Sequence, residues 1–294
     1  MRLRALAPAK VNLCLFLGGQ RADGRHELVT LFESVSLTDE LVLETVGAGP
    51  DQVVCEGVDG PNLVAAALAG LRAAGWGAPP VRIKIEKRVP VAAGMGGGSA
   101  DAAAALRLAR ELEPVAAEAV AELAAGLGSD VPSQLEPGLV LGTGAGERVE
   151  PVAPVAQHAF VVVPLPFQLS TPAVYGEADR LGLPRDEPAL ESALRDLRRV
   201  LTPGARLPEA LVVNDLQPAA ISLRPEISEA LDAVLATGAD HAFVSGSGPT
   251  VVGLYWGEDA ALDADAAVES LGERFPAATS AVAVEPELGA PELA

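Results

Sequence analysis

The stretch Pro90-Val91-Ala92-Ala93-Gly94-Met95-Gly96-Gly97-Gly98-Ser99-Ala100-Asp101, continuing through Ala102–Leu106, decides how the chain is read. Four of the five residues Gly94–Gly98 are glycine. A backbone without Cβ atoms bends through positive φ and lets a ligand approach its N–H groups. Ala102–Leu112 then carries strong helix formers, with Ser99 or Asp101 as the expected N-cap. Upstream, Val81–Lys87 alternates strictly and predicts a half-exposed strand with Arg82, Lys84 and Glu86 toward solvent. A glycine loop between a strand and a helix N-terminus offers converging amide donors at a positive dipole end, which suits phosphate better than a flexible linker would.

The two common phosphate fingerprints fail. A P-loop requires Lys-Ser/Thr after its glycines, and no lysine follows Gly98. A dinucleotide site requires a third glycine where Ser99 stands, and an acidic residue closing a second strand about 20 residues on. The protein kinase elements are absent too. What remains is a polyphosphate loop of a less common type.

Composition narrows the setting. At 294 residues, 49% hydrophobic and 21% charged, the chain is globular and long enough for two ordinary domains. A formal charge of −19 argues against nucleic acid or an anionic membrane as partner, because counterion release needs a basic face. Cys14 and Cys55 with three scattered histidines give neither a disulfide framework nor a zinc set. Pro8 and Lys10 interrupt the apolar N-terminal stretch, against a signal peptide, and no run is long enough to span a membrane. The expected location is the cytoplasm.

Along the chain, Leu3–Leu17 reads as one or two buried strands broken near Pro8. Lys10 lies inside that apolar setting, with Asn12 on the same strand face. A turn-rich loop, Gly18–His26, is followed by strands at Glu27–Leu37 and Glu40–Val46 with Thr38-Asp39 as the turn between them. Asp59-Gly60-Pro61 punctuates a helix at Asn62–Ala74. Pro151–Pro154 reads as a domain boundary, and Ser170-Thr171-Pro172 as a helix start. Residues 180–210 read as exposed helices and loops. A glycine turn, Ser245-Gly246-Ser247-Gly248-Pro249, joins two late strands, and the acidic tail Glu285–Ala294 is expected to fray.

Three of these stretches together, Pro8-Ala9-Lys10-Val11-Asn12-Leu13, Pro90–Ala105 and Ser245–Pro249, resemble the three motifs of the GHMP small-molecule kinases. Arg21-Ala22-Asp23-Gly24-Arg25-His26, the long form GMGGGSADAA and Gly128-Ser129-Asp130-Val131-Pro132 narrow the resemblance. They are similar to the branch that phosphorylates the 2-hydroxyl of a cytidyl-linked sugar alcohol in the non-mevalonate isoprenoid pathway. The resemblance implies a two-domain α+β fold: 1–152 binding ATP, 153–284 binding substrate, and the active site in the cleft between them. It implies ATP with Mg²⁺, the triphosphate lying on Pro90 to Ala100, and Ser99 as the hydroxyl nearest phosphate or metal.

The same resemblance makes Asp130 the general base and Lys10 its partner. A sugar-alcohol hydroxyl is a poor nucleophile, so a carboxylate within reach must accept its proton. A neighbouring ammonium favours the charged carboxylate and offsets charge on the moving phosphoryl group. His26 is expected to hydrogen-bond the cytosine, Tyr175 to stack on it with Thr171 nearby, and Asn12 to contact the reacting end. Arg25 stands where the family usually has tyrosine and is the candidate to stack or reach a phosphate. Ala100 replaces the second serine of the usual pair. Two other readings share this scaffold: a kinase for another small alcohol such as mevalonate or homoserine, and a catalytically silent nucleotide-binding protein. Retention of both Lys10 and Asp130 counts against the silent form.

Overall fold

A computed structural model describes residues 1–58, 60–91 and 93–294. Asp59, read from the sequence as punctuation before the first helix, and Ala92, read as part of the phosphate loop, lie outside the described residues. The fold is α+β, built on a mixed seven-stranded sheet that contains one long hairpin and an antiparallel four-stranded sheet against which that hairpin packs.

That hairpin is β1 (Arg2–Gln20) with β2 (His26–Thr45). The expected break at Pro8 is instead a register shift between Pro8 and Ala9, with a second shift between Asn12 and Cys14. Such a shift tolerates a residue lacking an N–H and turns the strand without ending it. Likewise Thr38-Asp39 makes no turn: β2 runs straight through, and Asp39 is fully buried. The shifts let the hairpin serve two partners. Its open end, Glu40–Thr45, pairs with β4 (Val81–Glu86), which β3 (Gln52–Cys55) joins in parallel. Its closed end, Thr30–Glu33, pairs with β5 (Leu139–Thr143), followed by β6 (Arg148–Pro151).

Three helices cover the first sheet: α1 (Leu63–Ala73), α2 (Gly97–Leu112) and α3 (Ala117–Leu127). The run Ala102–Ala105 with Leu106 and Leu108 is buried against Leu3, Leu41, Leu43, Ile83 and Ile85. Alanines there leave little side-chain bulk between α2 and the sheet. β4 has the alternation read from its sequence, with Val81, Ile83 and Ile85 inward and Arg82, Lys84 and Glu86 outward.

The second sheet has the order β10-β7-β9-β8, from β7 (His158–Val163), β8 (His241–Val244), β9 (Val251–Trp256) and β10 (Thr279–Val282). Around it lie α4 (Thr171–Leu181), α5 (Glu187–Val200), α6 (Gln217–Leu223), α7 (Glu226–Leu235) and α8 (Ala260–Leu271). Val11, Leu13, Phe16, Val29 and Leu31 of the hairpin pack against Phe160, Val162, Val252 and Leu254 of this sheet. One core therefore crosses from the hairpin into the second sheet.

The tail does not fray. β11 (Glu292–Leu293) pairs with β1, and Arg4 bonds Glu292 at 2.6 Å. Arg107 on α2 fastens the region by donating to Leu6 O at 2.7 Å, to Gly289 O at 2.9 Å and to Gln134 O. Burial pulls its pKa down to about 10. Arg107→Met should lower the unfolding free energy by about 3 kcal/mol, since carbonyls bonded to a charged donor would lose it. Urea denaturation checks this, and a change under about 0.5 kcal/mol would mean that Arg107 fastens nothing.

Candidate active site

Lys10 lies midway along β1, with its side chain 4% exposed. A lysine so deep needs oxygen partners around its ammonium. Nζ donates to Asn12 Oδ1 at 2.7 Å and to Gly94 O at 3.3 Å, and lies 3.4 Å from Asp130 Oδ2. It also sits 5.5 Å from the centre of the Phe32 ring. Asn12 cannot swivel, because its Nδ2 donates to Thr30 Oγ1 at 2.8 Å, whose hydroxyl donates to Cys14 O at 2.7 Å. Asp130 comes from the turn after α3, its side chain 32% exposed, with Ser129 and Ser133 beside it. Strand, glycine loop and turn thus meet at one ammonium.

The glycine loop departs from its sequence reading at the helix start. Neither Ser99 nor Asp101 caps α2; the cap is Gly96, at φ +68°, and no side chain bonds the first-turn amides. Those amides have no partner within the helix either. Gly94, at φ +76°, is the other position where only glycine fits: a Cβ there would lie 2.7 Å from Gly248 O. A Cβ on Gly96 would lie 3.0 Å from Lys10 Cγ. The loop is therefore clasped between Lys10 and the Ser245–Pro249 turn. That turn is held by Asn214, whose Nδ2 donates to Val244 O and Gly246 O, both at 2.7 Å. Ala93, Met95 and Ala100 are buried, whereas Gly94, Gly96 and Ser99 line a cavity with Lys10 and Asp130.

Beneath the loop sits a buried charge cluster that no local sequence pattern announces. Lys87 bonds Asp39 and, at 2.7 Å, Asp101. Asp39 Oδ1 also accepts from Arg88 N at 2.6 Å and Val89 N at 2.8 Å, tying down the strand exit. Burial opposes charge on Lys87, but the Asp101 and Asp39 carboxylates prevail and hold its pKa above the usual value. Burial, helped by Asp39, pushes Asp101 up to about 7. Asp101, the expected cap, is therefore an anchor.

At the far end His26 is buried, and its Nε2 lies 2.8 Å from Asp179 Oδ1. Tyr175 tilts against it at 5.1 Å between ring centres, and burial holds the phenol above its ordinary pKa. Thr171 shares a 2.9 Å hydrogen bond with Ser247, linking α4 to the late glycine turn. Arg25 stays exposed at the loop tip and donates to Asp23 Oδ2 at 3.0 Å. Asp179 was missed, although it follows Thr171 and Tyr175 at four-residue steps on α4, where all three share a face.

Three cavities run along these groups and share walls. One of about 300 Å³ has Asn62, Leu63, Lys87, Pro90, Val91 and Gly97–Ser99. The next, about 340 Å³, holds Lys10, Asn12 and Asp130 and shares Gly94, Gly96 and Ser99 with the first. The third, about 380 Å³, has Arg25 and His26 and shares Ser129, Thr171 and Tyr175 with the second. A separate cavity of about 320 Å³, over the buried Glu33–His158 pair, has none of these residues. Among the described residues no group of three or more His, Cys, Asp or Glu is placed to hold a metal, and no helix is long and apolar enough to cross a membrane.

A glycine loop at a helix start beside a lysine–carboxylate pair is the arrangement expected of the class, and the chain's relatives belong to it. Residues 62–138 match the model for the GHMP kinases N terminal domain and residues 187–276 that for GHMP kinases C terminal. The chain belongs to the GHMP kinase family. Among particular proteins, it is 45% identical to a 4-diphosphocytidyl-2-C-methyl-D-erythritol kinase of Streptomyces coelicolor, covering 86% of this chain and 88% of that one. It is 41% identical to the protein of the same name from Streptomyces avermitilis, over 99% of both chains. A crystal structure of 4-(cytidine 5'-diphospho)-2C-methyl-D-erythritol kinase superposes with a TM-score of 0.74 at 37% identity, covering 95% of this chain and 98% of that one.

The charge cluster gives a pH test. A carboxyl whose folded-state pKa lies above its unfolded value takes its proton more readily in the folded state. The stability this adds is complete below about 3.8 and is lost as pH rises through about 7. Asp101→Asn removes that loss, so the variant should gain on the parent protein between pH 4 and pH 8 in urea unfolding. Parallel stability curves would show that Asp101 does not titrate in this window.

Proposed function

We propose that this chain transfers the γ-phosphoryl group of ATP to the 2-hydroxyl of 4-diphosphocytidyl-2-C-methyl-D-erythritol, a step in making isoprenoid precursors by the non-mevalonate route. The observation that carries the reading is the order along one cleft: anion loop, then Lys10 with Asp130, then His26 with Tyr175. It matches the order of a bound pair, ATP, reacting alcohol and cytidine. We take residues 1–152 as the ATP-binding domain, 153–284 as the substrate-binding domain, and the cytoplasm as the location.

In this reading the amides of Gly97, Gly98 and Ser99 hold phosphate oxygens at the positive end of α2. Asp130 takes the proton of the 2-hydroxyl as its oxygen bonds to the γ-phosphorus. The bond from that phosphorus to the β-phosphate oxygen breaks, and ADP leaves. Lys10 places positive charge 3.4 Å from Asp130 Oδ2, where charge builds on the moving group. Asn12, fixed by Thr30, aims that ammonium and has a remaining amide hydrogen for the substrate. His26 and Tyr175 receive the base, with Thr171 and the loop-tip cation Arg25 on the same cavity.

Mg²⁺ fits the donor set, since Ser99 and Asp130 put a hydroxyl and a carboxylate on the same cavity as the loop. Mg²⁺ favours a few protein oxygens completed by phosphate and water. When bound it would neutralise β- and γ-phosphate charge.

The test is ADP release with ATP and a panel of alcohols. Turnover dependent on the cytidyl substrate supports the reading; turnover with mevalonate or homoserine alone overturns it. Asp130→Asn should lower kcat by about 10²- to 10⁴-fold while ATP affinity stays within about two-fold, as calorimetry would read. A variant with near-normal kcat would remove Asp130 as the base.

A further inference from the structure

We propose that Asp179 is a positioning residue that sets which pyrimidine the site accepts, by fixing the ring hydrogen of His26. The proposal rests on the reading of the His26 end as the base pocket. Asp179 sits on α4 one turn beyond Tyr175, its side chain 45% exposed, and its Oδ1 lies 2.8 Å from His26 Nε2. The imidazole is 5% exposed, so this contact governs a nearly immobile ring. A carboxylate oxygen only accepts, so Nε2 must carry the hydrogen. With one ring hydrogen held there, Nδ1 presents a lone pair. Among the described residues the one side-chain hydrogen bond of this imidazole is the Nε2 contact, and His26, Tyr175, Thr171 and Asp179 line the same cavity.

A lone pair in that cavity discriminates by simple polarity. Cytosine carries an amino group at position 4, which donates; uracil carries a carbonyl oxygen there, which only accepts. An acceptor at Nδ1 bonds the first and repels the second. The ring alone has no such preference, because imidazole can place its hydrogen on either nitrogen. The partner on α4 makes the choice.

Asp179→Asn puts this to the test with little change in shape at a half-exposed helix position. An amide offers NH₂ as well as oxygen to Nε2, so it no longer holds the ring hydrogen there, and the outward Nδ1 becomes a donor whenever the NH₂ faces the ring. The readout is calorimetric binding of cytidine 5'-diphosphate and uridine 5'-diphosphate, which needs no turnover. The cytidine-over-uridine affinity ratio should fall about ten-fold or more in the variant. In a His26→Ala background the same substitution should leave the ratio unchanged. Nitrogen-15 spectra of the unliganded parent protein should place the hydrogen on Nε2.

An equal loss of both nucleotides, a ratio shift that persists without His26, or a hydrogen found on Nδ1 would each overturn the proposal. The functional reading fails separately. If the parent protein releases no ADP with the cytidyl alcohol but prefers cytidine 5'-diphosphate and D179N weakens that preference, the role of Asp179 stands and the phosphorylated substrate is another cytidyl compound.

Discussion

One buried ammonium organises this protein. An unpaired charge taken out of water costs several kcal/mol, so Lys10 must be ringed by oxygen wherever it sits. Its partners come from separate parts of the chain: Asn12 two residues on, Gly94 of the loop and Asp130 of the turn after α3. Met95 O also accepts from the Lys10 backbone at 2.9 Å, so the loop is pinned to β1 through main chain as well as side chain. Satisfying this charge brings together a strand, a glycine loop and a carboxylate. The same requirement that makes the fold specific draws Lys10, Asn12 and Asp130 onto one cavity.

The hairpin makes that meeting rigid. β1 and β2 pass from one sheet into the core of the other, and the register shifts flanking Lys10 let one strand pair serve both. Lys87 then fastens the loop from below through Asp39 and Asp101, as Asn214 fastens the Ser245–Pro249 turn from above. A loop so rich in glycine is costly to order. Held at both ends, it can leave the first amides of α2 uncapped and still keep one shape.

What could be read from the sequence follows from which signals are local. Glycine spacing followed by helix formers gives the glycine loop and the helix after it, and strict alternation gives β4 with its faces correctly assigned. Lys10 and Asp130 could be paired only through the resemblance of whole motifs, because 120 residues separate them and no local pattern joins them. Asp39 misled for a physical reason: Thr-Asp between apolar runs is turn chemistry, yet here the carboxylate is buried by pairing with a lysine 48 residues away. The tail looked frayed because its partners, Arg4, Arg107 and the edge of β1, lie near the start and middle of the chain. Asp179 was legible in principle, one step beyond Thr171 and Tyr175 at helical spacing.

The most direct measurement is a crystal structure with the cytidyl alcohol and a non-hydrolysable ATP analogue bound together. The triphosphate should lie on the amides at the start of α2, and the substrate 2-hydroxyl within about 2.6–3.2 Å of an Asp130 oxygen, on a line toward the γ-phosphorus. A hydroxyl turned away from Asp130, or a triphosphate lying elsewhere than the Gly94–Ser99 loop, would contradict it.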